Sequence, residues 1–234
     1  MKIEKTEVYG FKASFRGMRN AKNSWDLSDS YDYRYYLKKG NSVINTNIES
    51  FAIGEKDLKL AQTLIKAGTE HCKFMRQIQV WCDITAPRYW WSEFDTYKIG
   101  TSANSTSTMH KLFDKNTEIS LDMFEYHVEA EKQSISYAIK GLNYLRDVYF
   151  EVQDQKSKDS VLASAKRILP ESYINTRTVN MNYSTIRNIL LQRRHHRLKL
   201  EWQEIFCKWI TTLPYALELI FCGLEDEYER LKSL

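Results

Sequence analysis

Apolar and polar residues alternate in two parts of the chain, and alternation with a period of two is typical of β-strands that bury one face. The segment 77–84 reads Gln-Ile-Gln-Val-Trp-Cys-Asp-Ile, in which every second residue is Ile, Val or Cys. Residues 3–16 alternate in the same way through Tyr9, Phe11 and Phe15. These patterns predict two strands. Residues 26–50 are polar and rich in Tyr, and they carry no comparable pattern.

Other segments place apolar residues three and four positions apart, which is the spacing of an amphipathic α-helix. In 57–67, Leu58, Ala61 and Ile65 share one face, and Gly68 follows as a helix-ending residue. The same spacing predicts a helix at 88–98 before Gly100, one or two helices in 119–155, and helices at 157–169, at 200–213 and up to Cys222. The mixture of strands and helices predicts one α+β domain over residues 1–234.

The most informative stretch follows Pro170, which ends a predicted helix. Residues 176–182 read as extended chain, and either Asn182 or Ser184 is a suitable N-cap for the next helix. On that helix the residues Ile186, Ile189 and Leu190 form an apolar stripe.

Two Arg residues continue this stripe. Arg193 and Arg197 follow Ile186 by seven and eleven positions, so a helix that extends this far places both guanidiniums on the apolar face. A buried guanidinium is costly unless it has an anionic or carbonyl partner. We therefore expect this face to end in a cleft that holds an anion.

The segment 101–108 is rich in hydroxyl groups and reads Thr-Ser-Ala-Asn-Ser-Thr-Ser-Thr, which predicts a loop. Small donors with little bulk suit a polar ligand such as a phosphate, and Ser102, Asn104 and Ser107 are the candidates. A solvated Ser/Thr loop without any ligand explains the same composition.

Composition narrows the class of protein. The 234 residues carry a formal net charge of +4, which permits an anionic ligand without indicating nucleic acid. Four Cys without CxxC spacing argue against a zinc knuckle or a disulfide framework. The first residues lack an apolar signal segment, and no apolar run approaches the length of a membrane span. We therefore expect a cytoplasmic protein with reduced thiols.

Basic residues beside aromatic ones offer another interpretation. The segments 193–199 and 88–91 combine Arg with Trp, Tyr or His, which suits RNA or single-stranded DNA. The small net charge and the apolar stripe make this interpretation the weaker one. The adjacent His195 and His196 would point about 100° apart on a helix, so we predict no metal site there.

Two tracts resemble the flavin-dependent thymidylate synthase family. The tract 165–193 has a helix that ends in Leu-Pro, a strand, and a helix reading Asn188-Ile-Leu-Leu-Gln-Arg193, similar to the family's Asn-x-x-x-Leu-Arg. The segment 201–205 is similar to the family's Ala-Gln-Trp-Glu-Ile after a two-residue insertion. In the tract 64–107, Ser102-x-Asn104-x-x-Ser107 is similar to part of the signature Arg-His-Arg-x-x-Ser-x-Asn-Glu-x-Ser-x-Arg-Tyr. Together the tracts cover about half of the chain.

The resemblance implies a fold and a chemistry. The fold has a central, mostly antiparallel sheet flanked by helices, and the family assembles as homotetramers with sites between subunits. In the family, reduced FAD supplies a hydride and folate supplies a one-carbon unit to dUMP, with NADPH as a further partner. The resemblance places Arg193 against the pyrimidine as the candidate catalytic residue, and Ser102, Asn104 and Ser107 against the nucleotide's phosphate or ribose.

It also implies a set of flavin contacts. Asn188 matches a family residue that contacts the flavin. Gln77 and Arg197 occupy places where the family has His residues beside the flavin. If the alignment is shifted by one residue, Lys98 aligns with an Arg of the signature. These four residues are the candidate FAD contacts.

The sequence departs from the signature where the family holds phosphates. Tyr97, Lys98 and Ile99 stand in place of Arg-His-Arg, and Met109 stands in place of the terminal Arg. Tyr and Met lack the charge and the bidentate fork of Arg. Three interpretations therefore stay open: an FAD-dependent one-carbon transferase acting on dUMP or a related nucleotide, a catalytically inactive nucleotide sensor or binding protein on the same fold, and an RNA- or single-stranded-DNA-binding protein.

Overall fold

The computed structural model describes the backbone of residues 1–39 and 42–234 and, within them, the side chains other than those of 34–50 and His110. The strands are β1 (Lys2–Tyr9), β2 (Tyr31–Lys39), β3 (Ser42–Ala52), β4 (Gln79–Pro87), β5 (Thr101–Ser105) and β6 (Ile174–Asn182). The α-helices are α1 (Phe11–Met18), α2 (Glu55–Ala67), α3 (Arg88–Phe94), α4 (Thr108–Lys111), α5 (Glu129–Glu151), α6 (Gln155–Ile168), α7 (Tyr183–Arg193), α8 (Lys208–Ile210) and α9 (Glu225–Ser233). A first π-helix spans Lys199–Cys207 and a second spans Ala216–Ile220.

The strands form a sheet in the order β1-β4-β6-β5 and a separate antiparallel hairpin of β2 and β3. The hairpin includes most of residues 26–50, a segment whose structure we did not predict. Helices and antiparallel strands together confirm the predicted α+β class, with a central, mostly antiparallel sheet flanked by helices. Among the described residues, no helix is both long enough and apolar enough to cross a membrane.

The chain divides into two compact units. Unit 1 contains Met1–Lys5, Cys82–Lys98 and Ser102–Val179, and unit 2 contains Thr6–Trp81, Ile99–Thr101 and Asn180–Leu234.

The core of unit 1 lies around α5 and α6, which correspond to the helices predicted in 119–155 and 157–169. Its buried residues are Leu112, Ile119, Phe124, Ile135, Leu142, Leu162, Ala165 and Leu169. Arg146 is buried in this unit, and its guanidinium donates to the carbonyl oxygens of Asp114 and Lys115 over 3.0 and 2.9 Å. These bonds satisfy a buried charge with carbonyl partners and hold the segment before α5 in place.

The first strand is shorter than the sequence predicts. The prediction of a strand over 3–16 is wrong in its second half, because β1 ends at Tyr9 and α1 follows. Gly10 lies between them with φ +100°, and a Cβ there would come within 2.4 Å of the Gln77 carbonyl oxygen. Only Gly fits such a left-handed, crowded position, so the chain turns there. Phe15 and Met18 then share the buried face of a helix.

In unit 2, α2 is anchored at its N-terminus by side chains from the preceding segment. The amides of Lys56 and Asp57 donate to the carboxylate of Asp29, and the pKa of that carboxyl is lowered chiefly by the bond from Lys56. Asp57 itself forms a buried ion pair with Arg19. The predicted α2 and its terminal Gly68 are confirmed, since α2 ends at Ala67 and Gly68 has φ +114°.

The chain after α7 departs from the sequence prediction. The helix predicted at 200–213 is present over 199–210, but most of it is a π-helix, Lys199–Cys207, followed by the single turn of α8. The second π-helix follows Tyr215, which has a left-handed backbone with φ +53°. A π-helix bonds i to i+5 and is rare, so apolar spacing alone does not reveal it.

Candidate functional site

The helix α7 presents Arg193 at its last position. Asn182 caps the helix, since its Oδ1 accepts from the amide of Thr185 over 2.9 Å, and this selects Asn182 over Ser184 as the N-cap. Ile186, Ile189 and Leu190 are fully buried, as the apolar stripe predicts. Packing and capping therefore fix the backbone that carries Arg193.

The guanidinium of Arg193 lies over the indole of Trp202, with its central carbon 4.7 Å from the ring centroid. Trp202 belongs to the first π-helix and is fully buried, while Arg193 is half-buried. The imidazole of His196 meets the same indole edge-on, with the ring centroids 5.9 Å apart. A cation on the face of Trp is attractive, and the attraction grows as water is excluded. Arg193 is thus held on its Trp202 side by a rigid, apolar contact.

The prediction that the same helix carries Arg197 is wrong. Helix α7 ends at Arg193, and Arg194 occupies the C-cap position. Arg197 lies beyond the helix and is exposed. The spacing of eleven residues from Ile186 has no structural meaning once the helix has ended, so the face carries one guanidinium instead of two. A role for Arg197 beside a flavin stays a prediction.

Two further candidate flavin contacts in unit 2 are exposed. Gln77 is the last residue of a short 3-10 helix, Lys73–Gln77, and its carbonyl oxygen packs against Gly10. Asn188 lies on α7, and its Oδ1 accepts from Nε2 of Gln192 over 3.0 Å. Both amide side chains are accessible to a ligand, and neither is fixed by burial.

The hydroxyl-rich segment is a strand in unit 1 for most of its length. The prediction of a loop over 101–108 is wrong, because residues up to Ser105 form β5 and α4 begins at Thr108. Ser102 and Asn104 are exposed on β5, and Ser107 is the half-buried N-cap residue of α4. The small hydroxyl and amide donors are therefore presented from a strand, which orders their backbone more than a loop does.

Lys98, in unit 1, is a residue for which we predict a contact with the flavin's phosphates. Its side chain is exposed. Tyr97, before it, is buried and packs edge-on against Phe94, with the ring centroids 6.4 Å apart. In unit 2, Ile99 is 91% exposed. A buried phenol, one ammonium and an exposed alkyl group do not form a cationic clamp for a diphosphate. The residues present at these positions therefore do not fit the flavin's phosphates.

A further cation in unit 1, Arg177 on β6, was not predicted as a site residue. Its guanidinium lies 4.1 Å from the ring centroid of Trp91, and its Nη1 donates to Asp95 over 2.7 Å. Its Nε is buried and has no hydrogen-bond partner in the part of the chain that the structure describes. The signal was present in the sequence, because Arg177 precedes the buried Val179 and Met181 at a spacing of two and so shares their face of the strand.

The pKa values of three Cys thiols are raised by burial. Burial raises the pKa of Cys82 and of Cys207 to about 12, so both thiols are protonated at neutral pH. Burial also raises the pKa of Cys222. Across residues 1–39 and 42–234, the described side chains contain no cluster of His, Cys, Asp or Glu that could hold a metal ion. In each unit, taken by itself, the candidate residues offer a ligand hydrogen-bond donors and cations.

The architecture is the one found in flavin-dependent thymidylate synthases. Two solved structures of that enzyme, called ThyX, from Helicobacter pylori are similar over nearly the whole chain, and both are complexes with FAD and dUMP. One has a TM-score of 0.64 at 18% identity and covers 94% of this chain and 98% of its own. The other has a TM-score of 0.66 at 17% identity and covers 98% and 99%.

At this level of identity the similarity establishes the fold. No protein-family model matches the sequence. No curated protein matches it either.

Proposed function

We propose that the protein binds a pyrimidine nucleotide such as dUMP, and that Arg193 contacts the base. The position of the Arg193 guanidinium over the face of the buried Trp202 is the observation that carries this proposal. A guanidinium carries its N–H donors in a planar fork that matches planar, polar groups. Such a group suits the carbonyl edge of a uracil ring.

The fold supports the same class of ligand. The two ThyX structures with this architecture hold dUMP, and Arg193 is the residue that resembles the Arg of that family's pyrimidine site. A guanidinium held on a helix end costs little to reorganise when the ligand arrives. We infer that Arg193 would read the base by hydrogen bonds and charge, and would polarise it if a reaction follows.

For the phosphate or ribose we propose Ser102, Asn104 and Ser107. Their side chains are small, polar and exposed or half-exposed in unit 1. We add two cations of unit 1 to this set, Arg177 and Lys98. Arg177 has a buried Nε donor that is unsatisfied within the described residues, and a polar ligand is one explanation for such a group.

The binding of a flavin is a separate question from the binding of a nucleotide. Transfer of a one-carbon unit with reduced FAD is what the resemblance implies, with folate, NADPH and a homotetramer. The residues in place of the Arg-His-Arg triplet do not supply a diphosphate clamp, so we assign no step to a flavin. The absorbance of freshly purified protein at roughly 350–500 nm, where oxidised flavin absorbs, separates the two interpretations. A yellow protein supports the transferase, and a colourless one that resists loading with FAD supports a nucleotide sensor.

The test of nucleotide binding is calorimetric titration of dUMP into the parent protein and into Arg193→Met. Met keeps the apolar contact with the indole and removes the charge and the donors. Hydrogen bonds to charged groups are worth about 1.5–3 kcal/mol, so we expect affinity to fall by at least about tenfold. Arg167→Met is the matched control, because Arg167 is exposed on α6. If Arg193→Met binds dUMP as tightly as the parent, or the parent does not bind dUMP, the proposal is wrong.

A further inference from the structure

The turn that follows α7 is held by side chains from two later elements. We call residues 194–198 the basic turn. The amide of His196 donates to the carbonyl of Arg193 over 2.9 Å. Nε2 of Gln203 donates to the carbonyl of His196 over 2.9 Å, and Nη2 of Arg230 donates to the carbonyl of Arg194 over 2.8 Å. Donors therefore reach the carbonyls of Arg193, Arg194 and His196, in a region where a helix end leaves carbonyls without intrahelical partners.

Arg230 is the centre of this arrangement. It lies on α9, and its Nη1 donates to Oε1 of Gln203 over 3.2 Å. Its Nε and Nη2 donate to Oε1 of Glu227 over 3.1 and 2.5 Å. One guanidinium thus links α9, the first π-helix and the basic turn. A cation beside the carbonyl end of α7 is also favoured by the helix dipole.

Glu227 keeps that guanidinium in place. Partial burial acts to raise the pKa of Glu227, and the hydrogen bond from Arg230 and the charges of Arg230, His195 and Arg194 together lower it below its ordinary value. The same hydrogen bond raises the pKa of Arg230. Both groups are therefore charged at neutral pH, and a charge-assisted bond of this kind is stronger than a neutral one.

The basic turn connects the two residues that define the proposed base contact. Arg193 is the last residue of α7, and Trp202 is the fourth residue of the first π-helix. The basic turn fills the chain between the end of α7 and the start of the π-helix, so its conformation affects how the two side chains are spaced. A shift of about 1 Å in such a supporting segment is enough to weaken a binding geometry.

We propose that Arg230 is a positioning residue, which fixes the basic turn and thereby holds Trp202 under Arg193 in the geometry that receives the nucleotide. This inference rests on the proposed function, because it concerns the same base contact. It assigns a role in ligand recognition to α9, whose side chains include none of the proposed nucleotide contacts. Arg230 acts through the turn and through Gln203, without touching the ligand.

A double-mutant cycle distinguishes positioning from a merely structural role. Calorimetry gives the affinity for dUMP of the parent, Arg230→Met, Arg193→Met and the double variant. If Arg230 acts through Arg193, Arg230→Met weakens binding by about fivefold in the parent and has almost no effect when Arg193 is already Met. Arg230→Lys keeps the charge and a compact ammonium donor but loses the planar fork, so it should recover part of the affinity. Lys232→Met removes an exposed cation from the same helix and serves as the control.

Each outcome decides the matter. If Arg193→Met leaves dUMP affinity unchanged, the proposed function and the positioning role both fail. If Arg193→Met weakens binding but Arg230→Met does not, or weakens it equally in both backgrounds, the positioning role alone fails. Should Arg230→Met not fold, Gln203→Leu removes the other bond to the turn and enters the same cycle. Near-ultraviolet circular dichroism of the Trp residues should change in Arg230→Met and stay unchanged in Lys232→Met.

Discussion

Nε of Arg19 donates to Oδ1 of Asp57 over 2.5 Å, and the exposed fractions of the two side chains are 6% and 1%. The hydroxyl groups of Ser28 and Ser30 donate to the other carboxylate oxygen of Asp57. A buried ion pair with this many hydrogen bonds fixes the segment before the β2–β3 hairpin against the start of α2. Removing either partner of this pair leaves the other as an uncompensated buried charge.

The first prediction follows from that pair. Asp57→Asn keeps the shape of the side chain and leaves Arg19 buried without a counter-charge, so we expect a loss of about 3–5 kcal/mol in the free energy of unfolding. Equilibrium unfolding in urea measures it. Asp26→Asn is the control, because Asp26 is exposed and surface substitutions of this kind usually change stability by less than about 0.5 kcal/mol. Equal stabilities of the two variants would contradict the structure.

The second prediction concerns Gly100. It has φ +75°, and a Cβ there would lie 2.4 Å from Oγ1 of Thr185 and 2.5 Å from Nδ2 of Asn182, the residues that begin α7. Gly223 has φ +77° with no atom within 4 Å, so it provides a comparison at the same φ. Gly223→Ala should cost about 1–2 kcal/mol from backbone strain alone, and Gly100→Ala should cost clearly more because α7 has to move. Thermal unfolding of both variants checks the order.

The third prediction is a pH dependence. The pKa of Glu227 in the folded protein is below its ordinary value of 4.5, so its bond with Arg230 stabilises the fold above pH 4.5. That contribution disappears as the pH falls below 4.5 and through the folded pKa. Glu227→Gln lacks it, so the difference in unfolding free energy between parent and variant should shrink from about pH 6 to about pH 3. If the difference in unfolding free energy grew on acidification, the pKa of Glu227 would be raised in the folded protein instead of lowered.

The fourth prediction separates phosphate from base recognition. Ser102, Asn104 and Ser107 are exposed or half-exposed, so their replacement together by Ala should leave the unfolding free energy almost unchanged. If they bind phosphate, affinity for dUMP should fall by about three- to tenfold, the value of a few ordinary hydrogen bonds, while affinity for deoxyuridine stays the same. Titration with both ligands gives the ratio. An equal loss for both would assign these side chains to the ribose.

The elements with the strongest local signals could be predicted from the sequence. The strand pattern at 77–84 corresponds to β4, and the apolar spacing at 57–67 corresponds to α2 with Gly68 after it. The stripe through Ile186 and Leu190 is buried as expected. In each case several residues of one period point to the same element, so local preference and tertiary packing agree.

The sequence predictions fail where one spacing fits both a strand and a helix, or where tertiary packing determines the structure of a segment. Phe11 and Phe15 fit a strand as well as a helix, because a spacing of four satisfies both periods. The polar β5 lacks an alternating pattern, and its place in the sheet is determined by β6 beside it. Arg193 could be singled out from its position on the stripe. Its stacking on Trp202 could not, because a π-helix carries no apolar period of its own.

In the first π-helix, the direction of the Trp202 side chain depends on the number of residues that precede it. In an α-helix each residue turns the side-chain direction by about 100°, and the wider i to i+5 winding accommodates additional residues in the same length. If one residue were deleted between Lys199 and Trp202, the segment would regain ordinary α winding and the indole would turn away from Arg193. The contact between Trp202 and Arg193 therefore depends on the residue count of this segment as well as on the identity of the two side chains.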